Sequence, residues 1–176
     1  MMVTVPAVDF LLAGTVGMRR AVACLHKKME RNGGNSHAHD PVFDQAIYGA
    51  VAEFIVAGLL NLFWEPKVGE LSKGDVGGYV EVRCRNPASG DEIGIHDTEL
   101  NDTPFVCVVY RGGFNFEIAG WVYGSDAQER GEWNDKRQCF FVPRPYRPMS
   151  ELRAWVEEHR LAHSLSVVVS RETGAS

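Results

Sequence analysis

At 176 residues the chain is the size of one domain and can bury a real core. Its apolar share of 45% and charged share of 23% are those of a globular protein, and a formal net charge of −5 argues against coating nucleic acid by bulk charge while leaving room for a focused basic groove. The four cysteines, Cys24, Cys84, Cys107 and Cys139, form no CxxC pair, so neither a zinc ribbon nor a dense disulfide framework is indicated, and a reducing, cytoplasmic setting is expected.

The opening "MMVTVPAVDFLLAGTVGMRR" lacks an early basic region and carries Asp9 inside its apolar run, which fits a signal peptide poorly. Residues 15–32 predict an amphipathic helix with Val16, Ala21, Cys24, Leu25 and Met29 near one face, stopped by Gly33 and Gly34. "GGNSHAHDP" reads as a polar loop. His37, His39 and Asp40 within it are metal-ligand types, but nothing nearby completes a site. Pro41 then opens a second helix running to Trp64, whose only charges are Asp44 and Glu53. A bilayer span of that length would leave Glu53 in the hydrocarbon at a cost of about 3 kcal/mol, so the helix is expected to pack on a sheet in water. Gly49, Ala50, Ala52, Ala57 and Gly58 would let it approach neighbouring backbone closely.

After Trp64 the period shortens toward two. "GYVEVRCR" alternates Val80, Val82 and Cys84 against Tyr79, Glu81, Arg83 and Arg85. "TPFVCVVYRGG" is apolar on both faces over residues 105–109, as a central strand should be, and "NFEIAGWVYG" follows a Gly-Gly turn. "HDTEL" and the following "ND", with His96, Asp97, Glu99 and Asp102, read as a solvated turn. A short helix capped by Ser125 or Asp126, a strand at "RQCFFVP" and a helix from Pro148 with Leu152, Trp155, Val156 and His159 at helical spacing complete the order. The expected architecture is a single α/β (α+β) domain: an N-terminal helical segment over 1–40, a core of mixed sheet flanked by helices over 41–165, and a frayed tail over 166–176.

Hydrolysis of a phosphodiester with a divalent cation needs carboxylates that hold Mg²⁺ through oxygen and leave room for water and a phosphate oxygen. Glu81 and Arg83, two apart on a strand, share a face, and Asp75 lies just before Gly77 and Gly78, where a tight turn could return its carboxylate to Glu81. The bland alternative is an edge strand with solvated charges.

The stretches "GTVGMRR", "GAVAEFIVAGLLNLFW", "GDVGGYVEVRCR", "NDTPFVCVVYRGG", "FEIAGWVYGSDAQERGEW" and "CFFVP", taken in order over about residues 12 to 152, resemble a family of phage and prophage proteins with the PD-(D/E)XK, restriction-endonuclease-like fold. By position the resemblance implies that Glu53 supplies the helix acid, Asp75 the motif acid, and Glu81 with Arg83 the acid-x-Lys pair. Asp75, Glu81 and the Val82 carbonyl would then hold Mg²⁺ or Mn²⁺, and Glu53 would position the metal or its water. Two departures stand out. Ala52 replaces a glycine common before the helix acid, and Arg83 replaces lysine; an arginine stays protonated, so it can neutralise charge but cannot act as a general base.

The implied activity is that of a nuclease, a hydrolase acting on DNA rather than RNA in the cytoplasm of a host cell. The alternative is an inactive module of the same fold that binds nucleic acid or a protein. Arg19, Arg20, Arg85, Lys136 and Arg137 are the candidate nucleic-acid contacts, against the plainer reading of surface bases and salt bridges. A homodimer or a phage or host protein is the expected partner, and a membrane is not.

Overall fold

The computed structural model describes residues 1–31, 42–68, 74–86 and 90–160. The "HAHD" loop with His37, His39 and Asp40, the 40/41 domain boundary and the tail lie outside the described residues. A strand β1 (Met2–Thr4) precedes helix α1 (Ala7–Arg31) and helix α2 (Val42–Leu60). Strands β2 (Glu81–Arg85), β3 (Ile93–His96), β4 (Pro104–Gly112) and β5 (Asn115–Tyr123) follow, then a short helix α3 (Ala127–Arg130), strands β6 (Glu132–Asn134) and β7 (Cys139–Val142), and a helix α4 over residues 149–160. This is the α/β class expected.

Four strands form a mixed sheet in the order β1-β5-β4-β2, in which β2 runs parallel to β4 and the other pairs are antiparallel. β4 is interior and buried from Pro104 to Val109, so its unbroken apolar run is explained by cover on both faces. One face carries Val82, Val106, Val108, Phe116 and Ile118 against Val51, Ala52, Ile55 and Val56 of α2 and Leu152 and Val156 of α4. The other carries Phe105, Cys107, Val109 and Val122 against Ile93 and Ile95 of β3, Val142 of β7 and Ala127 of α3. Each fully buried Val, Ile or Phe contributes roughly 1.5–3 kcal/mol, so the period-two alternation of β2 fixes which face Glu81 and Arg83 must leave.

β3 was not legible as a strand; with β7 and β6 it builds a second, antiparallel sheet in the order β3-β7-β6. Helix α1 begins eight residues earlier than the 15–32 segment expected. Its inner face is made of Ala13, Gly14, Gly17 and Ala21, whereas Cys24, expected on the apolar face, is exposed. A side chain at Gly17 would place its Cβ 2.3 Å from the Ala46 carbonyl oxygen, so the two helix backbones meet there.

Helix α2 stops at Leu60 rather than Trp64 because Asn61 turns into the left-handed region at φ 52°. Leu62 N–H then donates to Ala57 O at 2.9 Å and Asn61 N–H to Gly58 O at 3.3 Å, a Schellman closure. By length and composition Phe43–Leu60 would suffice to cross a bilayer; in this fold Ala50–Ala57 are covered by helix and sheet apart from the half-exposed Phe54.

Candidate active site at the edge of the sheet

Glu53 sits on the buried side of α2, 6% exposed. Arg20 reaches across from α1 and forks onto it, Nη1 to Oε1 at 2.5 Å and Nη2 to Oε2 at 2.9 Å, while Trp64 Nε1 donates to Oε2 at 3.1 Å. Burial pushes the Glu53 carboxyl above its usual range and the Arg20 hydrogen bond pulls the other way; both oxygens accepting donors is the arrangement of an ionised carboxylate. Arg20 Nε also donates to Lys67 O at 2.8 Å, which ties the chain after α2 to α1.

That chain leads to Asp75. Trp64 bridges Val76, and Val76 and Val80 exchange N–H to O bonds of 3.0 and 3.1 Å around a tight turn. The turn needs its glycines: Gly74 has φ 64° with the Gly78 carbonyl carbon 2.4 Å from where a Cβ would lie, and Gly77 has φ 62°. Asp75 is thereby folded back beside β2, where its Oδ2 accepts the Val82 N–H at 2.9 Å. In a strand the N–H and C=O of one residue point the same way, so the Val82 carbonyl is also directed away from β4, at the open edge of the sheet.

Glu81 and Arg83 leave the opposite face from Val82. Arg83 is a hub: Nη1 meets Glu81 Oε2 at 3.0 Å, Nη2 meets Glu99 Oε1 at 2.5 Å, Nε reaches Gly94 O at 3.4 Å, and the guanidinium lies 5.0 Å from the centre of the Phe105 ring. Burial pulls its pKa down, but Glu99 and Glu81 more than offset this and hold it protonated. Burial raises the Glu81 carboxyl to about 7, with the charge of Asp75 pushing the same way against Arg83.

The charge of Asp75 pushes up both the Glu53 and the Glu81 carboxyl. The convergence of Glu53, Asp75 and Glu81 on one ion is not what the fold provides. Glu53 lies on the helix-covered face with both oxygens committed, and Glu81 lies on the other. Among the described residues, no three His, Cys, Asp or Glu side chains are gathered to hold a metal ion. Asp75 Oδ1 and Glu81 Oε1 are left without a hydrogen bond among the described residues, next to the Val82 main chain. Glu99 is the residue that sequence reasoning missed. The sequence makes it part of a solvated turn, but its Oε1 holds Arg83 and its Oε2 accepts the His96 N–H at 2.9 Å.

Two cavities are lined by members of this cluster. A cleft of about 560 Å³ runs from Glu81 and Glu99 to Trp155 and His159 of α4, with Asp102 on its wall. A pocket of about 310 Å³ contains Arg83 itself with Arg85, His96, Arg137 and Phe141. Of the other candidate bases, Arg19 and Lys136 are exposed outside both cavities, and Arg20 serves Glu53. Arg144 and Arg147 pair with Asp91, Glu117 and Asp126. No protein-family model matches the sequence, and no curated protein is significantly similar to it.

Proposed function

We propose that the protein is a divalent-metal-dependent nuclease that hydrolyses phosphodiester bonds in nucleic acid, DNA in the first instance. The observation that carries this reading is the proximity of Asp75 and Glu81 at the edge strand β2, each with one oxygen that accepts no hydrogen bond among the described residues, beside an outward main-chain carbonyl. Mg²⁺ or Mn²⁺ bound by these donors would supply Lewis acidity toward a phosphoryl oxygen and acidify a bound water.

The chain's own residues do the rest. Asp75 fixes the Val82 main chain and so aims its carbonyl. Arg83, pinned between Glu81 and Glu99, presents a permanent positive charge beside the carboxylates, where it can neutralise charge that builds up on a phosphate. Glu99 is a positioning residue for that arginine. Glu53 acts at one remove, through Arg20 and Trp64, by fixing the segment that delivers Asp75. The resemblance to phage and prophage proteins of the restriction-endonuclease-like fold supports the same reading.

The test is cleavage of supercoiled plasmid, single-stranded DNA and RNA in Mg²⁺ and in Mn²⁺. Wild-type protein is expected to cleave only with divalent metal, and Arg83→Ala to be slower on the order of 10²-fold or more. No cleavage of any substrate in either metal would sink the nuclease.

A second reading, a module that binds nucleic acid without cutting it, is favoured by the Arg85, Arg137 and His96 pocket. Binding of a labelled oligonucleotide in EDTA addresses that pocket separately. Arg137→Ala should weaken binding of all sequences alike and reduce the slope of log affinity against log salt by about one. An unchanged slope would take the pocket off the backbone path.

A further inference from the structure

The outer face of α1 is the least accounted for part of the surface. Val8, Leu11, Leu12, Met18 and Val22 are between 47% and 70% exposed, on the side of the helix away from Gly17 and its contact with α2. Their order is regular. Val8, Leu11, Thr15, Met18, Val22 and Leu25 are separated by 3, 4, 3, 4 and 3 residues, the a/d spacing of a helix that packs along its length against another helix. Thr15 breaks the apolar series only in name, because its Oγ1 donates to Leu11 O at 2.8 Å and its polarity is satisfied within the helix.

We propose that this stripe is the seam of a homodimer in which the α1 helices of two copies pack antiparallel about a two-fold axis between Thr15 and Met18. Area, charge and symmetry select a second copy as the occupant. The exposed apolar surface of Val8, Leu11, Met18 and Val22 is about 400 Å² per copy, so two copies bury about 800 Å² of it along the stripe before flanking side chains are counted, the scale of a weak, reversible dimer. Asp9 lies at the start of α1 whereas His26, Lys27, Lys28 and Arg31 lie at its end, with Glu30 alone against them. Antiparallel helices set the basic end beside the acidic one and oppose their dipoles, while a parallel pair would bring the basic ends together. The pattern is also self-complementary: Val8 faces the partner's Leu25, Leu11 the partner's Val22, and Thr15 the partner's Met18, as a two-fold interface requires. This inference is independent of the nuclease reading, because none of the six stripe residues lines either cavity.

Sedimentation of the full chain from about one to about one hundred micromolar tests it. Wild type is expected to dimerise in this range. Leu11→Glu and Met18→Glu should each weaken the dimer about a hundredfold or more, while far-ultraviolet circular dichroism and the melting curve of the monomer stay unchanged, since both side chains are exposed. A wild-type monomer at every concentration, or a dimer indifferent to both substitutions, would overturn the proposal. So would a wild-type monomer that pellets with phosphatidylglycerol vesicles and loses that binding in Leu11→Glu, which would make a lipid surface the occupant. For orientation, in a Cys24→Ser background, Leu11→Cys with Val22→Cys should form a disulfide-linked dimer under mild oxidation. Leu11→Cys alone should not, and its cross-linking would refute the antiparallel arrangement.

Discussion

Asp75→Asn is expected to leave the protein folded and to lower its metal-dependent cleavage by about 10³-fold or more, the several kcal/mol that metal chemistry contributes to a phosphoryl transition state. The substitution separates two roles of one side chain. Asparagine keeps an oxygen that can accept the Val82 N–H, so the turn through Gly77 and Gly78 should persist. It removes the negative charge a hard cation needs. Isothermal titration with Mg²⁺ and Mn²⁺, alongside the cleavage rate, checks both parts; metal binding and cleavage within tenfold of wild type would remove Asp75 from the site.

The same variant carries a signature in pH without metal. Burial and the charge of Asp75 raise the Glu81 carboxyl from 4.5 to about 7, so between those values the folded state binds more protons than the unfolded one. The associated stability is fully present below about 4.5 and is lost as pH rises through about 7. Asp75→Asn takes away one of the causes, so in EDTA its melting temperature should fall less than that of wild type across this window. A steeper fall in the variant would contradict the assignment of Asp75 as the neighbour that raises Glu81.

Glu53→Gln should cost about 3 kcal/mol, which for a chain of this length lowers the melting temperature by about 10 °C. The amide can still accept one hydrogen bond, but its NH₂ would face the donors of Arg20 and leave a half-buried guanidinium without a counter-charge. The double replacement Arg20→Leu with Glu53→Leu should cost less than Glu53→Gln alone, because neither charge is then stranded. Differential scanning calorimetry of the three proteins measures this, and Mg²⁺ titration of Glu53→Gln below its transition decides the role. Retained metal affinity with reduced stability is expected of a residue that positions Asp75 through Arg20 and Trp64. Loss of metal binding with stability unchanged would return Glu53 to the ligand set that the sequence resemblance implies.

Features written in local spacing were legible in the chain alone. The alternation of Val80, Val82 and Cys84 placed Glu81 and Arg83 together on one face of a strand, and the unbroken run over residues 105–109 marked an interior one. Gly77 and Gly78 announced the turn that brings Asp75 back to β2, because positive φ is a property of single residues. Short or irregular pieces stayed hidden: β3 is four residues with Gly94 inside it, and its partner β7 begins some forty residues later. The end of α2 at Asn61 depended on a backbone closure that the continuing apolar run masked.

Which charges meet depends on how distant segments pack. Arg20 finds Glu53 across 33 residues and Arg83 finds Glu99 across 16, and no period in the chain encodes either pair. An acid such as Glu53 in an apolar helix is a cost that has to be met somewhere; its answer is an arginine on another helix rather than an ion shared with Glu81. Glu99 carried no signal at all in a polar turn, since a carboxylate in water and one that holds a half-buried arginine are the same letter until the sheet closes around them.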